Sequence, residues 1–324
     1  MNKYSKKIII IVIFIVFHFL INKLISNNKF DINFKYHDYQ RNMITQKMKK
    51  YSKWQLTGSQ PYFINGIIRK YRPRRCLEIG VAHGGSSIII LNAIKDIKNS
   101  FLISLDLNTK LYSNSKLKTG YRVKKYFTEL TKKWKLYTGD QSHKFLDKLN
   151  LKFDFLLLDT AHFSPGELIN IIEVLPFLEE NAIIVLHDIF YHLPSNHYFI
   201  PKEKKFHPSN IFLMTSLYGD KVILETNDKK VENIGAIHLY PNQKKYYLNY
   251  FVLLVTPWEY MPKDNHIIDL RKFIKKYYKK DIYLNLFNIA VEENRIYINN
   301  FQNFYKSFNH KNIINLRKFY FHLN

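Results

Sequence analysis

Three glycines and two serines, Gly80, Gly84, Gly85, Ser86 and Ser87, interrupt the otherwise apolar stretch LEIGVAHGGSSIIIL between Leu77 and Leu91. Glycine reaches positive φ at little steric cost, so a loop of this kind can be kept bare for a ligand to lie against its backbone. The competing reading is a tight strand-to-helix connection in which Ser86 or Ser87 caps the following helix. A second chemical feature is a series of acids, each closing an apolar run: Glu78, Asp106, Asp140, Asp159 and Asp188, the last preceded by His187. One acid in such a place is an ordinary helix cap or solvated loop residue. One at each of five becomes a constellation.

The elements that must position these residues follow from the hydrophobic pattern. Apolar runs at Arg75 to Ile79, Phe101 to Leu105, Trp134 to Tyr137, Phe153 to Leu158 and Ala182 to Leu186 read as strands. Helical spacing marks Gln60 to Tyr71, which stops before Pro73, and Ser87 to Ile97, Gly120 to Thr131, Ser142 to Leu149 and Gly166 to Leu178. Two further strands, Asp220 to Glu225 and Ile234 to Tyr240, fit a closing antiparallel hairpin. Alternating strands and helices with continuously apolar strands predict an α/β fold, a doubly wound parallel sheet covered on both faces. Such sheets take ligands outside the carboxyl ends of their strands, where all five acids fall.

With these residues in place, 59–240 resembles the class I S-adenosylmethionine-dependent methyltransferases, which have a Rossmann-like seven-stranded sheet. The family's first motif matches Glu78, Gly80, Gly84 and Ser86. The resemblance implies that this loop receives the methionine part of the cofactor and that Asp106 accepts the ribose hydroxyls. It also implies that Asp140 and Gln141 face the adenine. A nucleobase N-methyltransferase would carry an Asn/Asp-Pro-Pro-aromatic motif after the fourth strand, where this chain has Asp159-Thr160-Ala161-His162. Asp-x-x-His followed by His187-Asp188 instead resembles metal-dependent O-methyltransferases of the macrocin and catechol type, and the cephalosporin-hydroxylase-like proteins. That likeness implies Asp159 and Asp188 as ligands of Mg²⁺ or another divalent ion, with His187 beside them, and His162 as the general base. A nitrogen at His187 suits a softer ion better than Mg²⁺. Packing under Ser164-Pro165 is the structural alternative for His162.

Composition bounds the rest. The 324 residues, 46% hydrophobic and 16% aromatic, can bury a full core, which excludes a disordered chain. The single cysteine, Cys76, lies in an apolar run and fits a packing role; it cannot form an internal disulfide. Fifty Lys+Arg against 26 Asp+Glu give a net charge of +24, yet Lys, Asn, Ile and Tyr are abundant throughout, which dilutes the charge as evidence for a polyanionic partner. Lys3, Lys6 and Lys7 precede an apolar run from Ile8 to Ile21 with no small-residue cleavage site after it. Residues 1–26 are therefore expected to be a single-pass membrane anchor and 27–58 a tether. Past Pro262, Ile267, Leu270, Phe273, Ile274, Tyr277 and Tyr278 share one helical face and Arg271 with lysines the other, within a mostly helical extension over 241–324. That basic helix either docks on the domain or lies on an anionic membrane.

The reading is a membrane-tethered methyltransferase, its catalytic domain cytosolic where the cofactor is made. It acts on a hydroxyl of a sugar, a glycan-linked or a small-molecule acceptor. Two alternatives stand beside it. An NAD-type oxidoreductase needs Gly-x-Gly-x-x-Gly, whereas this chain has Gly80, Ala82 and Gly85. A non-catalytic basic module binding membrane or nucleic acid has no use for five strand-end carboxylates. That observation disfavours nucleic acid as the partner.

Overall fold

The structure is a computed structural model that describes residues 44–53, 55–189, 209–225 and 231–306. The expected anchor, residues 1–26, and residues 190–208 lie outside the described residues. Among the described residues, no helix is long and apolar enough to cross a membrane.

Seven strands form one sheet in the order β3-β2-β1-β4-β5-β7-β6. β1 (Arg75–Ile79), β2 (Phe101–Asp106), β3 (Trp134–Thr138), β4 (Phe153–Leu158) and β5 (Leu178–His187) run parallel. β6 (Gly219–Glu225) and β7 (Val231–Leu239) close the sheet as an antiparallel hairpin beside β5. Chain order reverses between β1 and β4, which places the crevice of a doubly wound sheet at their carboxyl ends.

Side chains alternate faces along each strand, and the two cores divide accordingly. On one face Cys76, Leu102, Phe155, Leu157 and Val185 pack with α1 (Gln46–Ser52), α2 (Gln60–Tyr71) and α3 (Gly85–Ile94). All ten residues of α3 are buried, in keeping with a sequence, GSSIIILNAI, that holds no charged residue. On the other face Leu77, Ile103, Leu156, Leu158 and Leu186 pack with α5 (Ser142–Leu149), α6 (Gly166–Val174), α7 (Ser209–Ser216) and α8 (Tyr247–Leu253). The same core takes in α9 (Asp264–Tyr278) and α10 (Asp281–Lys306), through Ile267, Phe273, Tyr278 and Phe287.

Three expectations need correcting. Ile44, Met48 and Leu56, expected within a tether, are buried in the first core. The helix expected to run to Leu178 ends at Val174; Pro176 lacks an N–H to continue it, and β5 starts at Leu178. The stretch expected as one helix from Gly120 to Thr131 is α4 (Tyr121–Tyr126) and then a separate 3-10 turn, broken at Phe127 with φ −140°. The basic helix past Pro262 is α9, and its apolar face is docked on the domain.

Candidate active site

The glycine loop is bare because of the protein's own packing. A Cβ on Gly80, whose φ is +89°, would stand 1.7 Å from the carbonyl oxygen of Asp159, the residue after β4. A Cβ on Gly84, at φ +90°, would meet Val123 of α4 at 2.9 Å, and one on Gly85 would meet Gln55 at 2.8 Å. Gln55 clamps the loop from outside: its Nε2 donates to Val81 O at 2.8 Å and its Oε1 accepts from Gly85 N at 2.5 Å. No sequence signal pointed to Gln55.

Glu78 and Ser86, both expected to face the cofactor, are turned inward. Neither is exposed, and the Glu78 carboxylate accepts from the hydroxyls of Ser86 at 2.5 Å, Ser87 at 2.6 Å and Ser104 at 2.6 Å. The N-cap of α3 is Gly84, so neither serine fills the capping role. Burial pushes the Glu78 carboxyl up to about 7 against the pull of the three hydroxyls. Trp134 Nε1 donates to Ser104 at 2.8 Å, so the network pins the start of α3 to β1, β2 and β3 at once.

Asp106 stands at the loop itself. Its Oδ2 accepts from the backbone N–H groups of Val81 at 2.9 Å and Ala82 at 3.0 Å, and its Oδ1 from Asn108 at 2.8 Å. Asp140 lies further along the edge, after β3. It accepts from Gln141 N at 2.9 Å and pairs with Lys144 at 3.1 Å. Partial burial opposes its ionisation, but those two partners hold it below the ordinary carboxylate range.

Across the crevice, the ends of β4 and β5 gather four ionisable groups. His187 Nδ1 is 3.3 Å from Asp159 Oδ1 and 3.3 Å from Asp188 Oδ2. His162 Nε2 is 3.3 Å from Asp188 Oδ2 and 3.7 Å from Asp159 Oδ1. Burial disfavours a charged His187, but the two carboxylates outweigh it and raise its pKa well above the usual imidazole value. Burial likewise acts to raise Asp159, and the two histidines hold it below its ordinary value. One ligand atom each from Asp159, His162 and Asp188 lies within 4.8 Å of the others. Two carboxylates and an imidazole are a donor set that fits a divalent cation.

Several supporting residues were not legible in the sequence. Gln60 at the start of α2 receives His187 Nε2 at 3.1 Å; Asn210 donates to the His187 carbonyl at 2.6 Å. Asn233 on β7 donates to Asp188 Oδ1 at 2.5 Å. Glu167, fully buried, accepts from the backbone N–H of His162 and from Thr160 Oγ1 at 3.3 Å. Burial raises its pKa. An acid in the first turn of a helix is the only signal Glu167 offered, and it is too common to point to a site. His162 and Asp188 both take positive φ, 59° and 53°, a conformation that costs on the order of 1 kcal/mol or more in a non-glycine residue. Such strain collects where a side chain must be aimed.

Residues 77–189 match the family model of a methyltransferase domain, a span that holds every candidate site residue from Glu78 to Asp188. The chain carries a class I methyltransferase domain. The methyltransferase is S-adenosylmethionine-dependent, and the match does not favour the oxidoreductase. No curated protein sequence matches the chain. Solved structures similar to it include the O-methyltransferase TomG of Streptomyces achromogenes in complex with SAM, at 14% identity and TM-score 0.44 over 60% of this chain and 90% of that one. The SAH-bound methyltransferase PaMTH1 of Podospora anserina shares 19% identity at TM-score 0.45, over 60% of this chain and 88% of its own. An O-methyltransferase of Bacillus cereus in complex with SAH shares 12% at 0.44, over 61% and 90%. At such identities and scores, these likenesses decide neither acceptor nor mechanism for the methyltransferase.

Proposed function

We propose that the methyltransferase alkylates a hydroxyl of a sugar, a glycan-linked or a small-molecule acceptor, with His162 as the base. The observation that carries this reading is the convergence of Asp159, His162 and Asp188 beside the glycine loop. In the transfer, the acceptor oxygen forms a bond to the methyl carbon as the carbon–sulfur bond breaks, and the electron pair stays on sulfur. The hydroxyl proton goes to His162, whose imidazolium is then neutralised by Asp159 and Asp188. His162 suits this better than His187: its side chain is 22% exposed against 8%, and Nε2 of His187 is committed to Gln60. On the cofactor side Gly80 and Gly84 shape the loop, Asp106 meets the ribose, and Asp140 with Gln141 meets the adenine; Glu78 and Ser86 act from behind by holding α3. Asp159 and Asp188, with His187, would hold a divalent cation, which when bound lowers the pKa of the acceptor hydroxyl. Asn233 and Glu167 keep those side chains aimed.

The test is transfer of radiolabelled methyl into a cell extract, followed by mild base. A methyl ether keeps its label, whereas a carboxyl methyl ester releases it as methanol, and that outcome rejects the hydroxyl acceptor. Full turnover in chelator rejects the metal, and full turnover of His162→Ala rejects the base.

In the same reading residues 1–26 anchor the chain and the catalytic domain faces the cytosol. The catalytic unit of 59–240 is extended by residues 44–58 and by the helices from α8 onward, which share its cores. Carbonate extraction that frees the full-length chain rejects the anchor. Protease cleavage of the domain in intact cells rejects the orientation.

A further inference from the structure

We propose that α1, α4 and the loop between β2 and α4 form one basic platform that seats the methyltransferase on an anionic phospholipid surface. The sequence holds no Asp or Glu between Asp38 and Glu78, and none between Asp106 and Glu129. These two acid-free segments are far apart in the chain, and the fold brings them together. Tyr51 of α1 stacks on Tyr126 of α4 with ring centroids 4.0 Å apart, and Arg122 Nη1 donates to the Tyr51 carbonyl at 2.6 Å. The loop runs directly into α4; it is closed on itself by the bridge between Lys110 and Lys118, and its end is held to the glycine loop by Gly120 N, which donates to Ala82 O at 2.8 Å.

Lys47 and Lys50 on α1, Lys110 and Lys118 in the loop, and Lys124 and Lys125 on α4 are all exposed. Among the described residues none of the six forms an ion pair. The distinguishing feature is the contact between two segments that hold no carboxylate, which a lysine-rich composition alone does not require. Three of these ammonium groups lie over aromatic rings, Lys47 over Phe127 at 4.6 Å, Lys50 over Tyr51 at 5.7 Å and Lys125 over Tyr126 at 5.3 Å, which orders them on the surface.

The choice of lipid over nucleic acid rests on the reading of residues 1–26 as an anchor. The platform begins at α1, and the intervening residues 27–45 can span at most roughly 60 Å, which keeps the platform close to the bilayer. Because Ala82 and His83 of the glycine loop accept from Gly120 N and Arg122 N, an anionic surface on the platform lies beside the cofactor site. An acceptor held in or on the membrane would meet the site there.

The experiment is lysine acetylation, followed residue by residue by mass spectrometry, on the full chain in neutral phosphatidylcholine vesicles and in vesicles containing phosphatidylglycerol. A lysine at an anionic leaflet gains about fivefold in local binding. Labelling of Lys47, Lys50, Lys110, Lys118 and Lys124 is expected to slow by about that factor in the anionic vesicles and to recover in high salt. Lys98 and Lys263, exposed elsewhere, should not change. The variant Lys47→Glu/Lys50→Glu/Lys124→Glu/Lys125→Glu should lose the protection of Lys110 and Lys118 while still binding S-adenosylhomocysteine. Equal labelling in both vesicles overturns the proposal, and so does protection that appears only when RNA is added. Failure of the anchor reads differently, as release of the chain by carbonate with the salt-sensitive footprint intact.

Discussion

The two halves of the sheet's carboxyl edge are built on opposite electrostatic terms. Around β1 and β2 each acid is matched by neutral donors, Glu78 by three hydroxyls and Asp106 by three backbone N–H groups. Around β4 and β5, Asp159 and Asp188 crowd two imidazoles within 3.3 to 3.7 Å, His162 and Asp188 sit at positive φ, and the buried Oε2 of Glu167 has no hydrogen-bond partner. The first half satisfies its carboxylates within the scaffold. The second holds charged groups together at a conformational cost, which is the arrangement expected where protons move.

The largest effect should come from the point where the halves touch. Gly80→Ala drives a methyl into the Asp159 carbonyl at a φ that alanine resists, so it should destabilise by at least about 3 kcal/mol and abolish turnover. Thermal melts followed by circular dichroism check this, and a normal melt would mean that β1 and β4 are not locked as described.

Next come Asp159→Asn and Asp188→Asn. If the halves are independent, turnover should fall about a hundred- to ten-thousandfold, with the affinity for S-adenosylhomocysteine changed less than about threefold. Calorimetry showing equal losses in both would break the comparison.

Glu78 sharpens it from the other side. Its carboxyl is raised from 4.5 to about 7 by burial. Between those values the folded protein keeps a proton that the unfolded chain has released, so this contribution is full below pH 4.5 and is lost as pH rises through 7. The total is on the order of 3 kcal/mol. Urea unfolding across that window should show the decline in the native protein and its absence in Glu78→Gln.

The smallest effect expected is that of Asp106→Ala on cofactor binding, a loss of about 1.5 to 3 kcal/mol, with the chemistry of bound complexes little changed. Single-turnover rates at saturating cofactor test it; a collapse there would mean that Asp106 acts across the crevice.

Some of this was legible at the level of spacing. The five parallel strands, the closing hairpin and the acid at or near the end of each parallel strand follow from apolar runs of strand length, because central strands are buried on both faces and tolerate little else. α2 and α5 match their expected limits, since Pro73 and Asn150 mark the ends, the latter in the left-handed conformation that asparagine accepts. Other features were local but ambiguous. LEIGVAHGGSS does not say that Gly84 and Gly85 are kept bare for α4 and α1, since the residues that press on them, Val123 and Gln55, lie about 30 positions or more away.

What the sequence by itself determined is therefore the sheet, its strand directions and the type of residue at each strand end, all properties of the chain within a few residues. Only the tertiary structure decided which of those acids face inward, which share a site, and who holds them. Glu78 turns away because three serines from two elements satisfy it, while Asp159 and Asp188 meet because β4 and β5 are neighbours whose ends bring the same kind of charge to one place. Gln60, Asn210 and Asn233 reach that place from helices and a strand 23 to 127 positions removed from the groups they hold. Hydrogen bonds and charge interactions depend on distance in space, and distance in space between remote residues is set by packing, which no local pattern records.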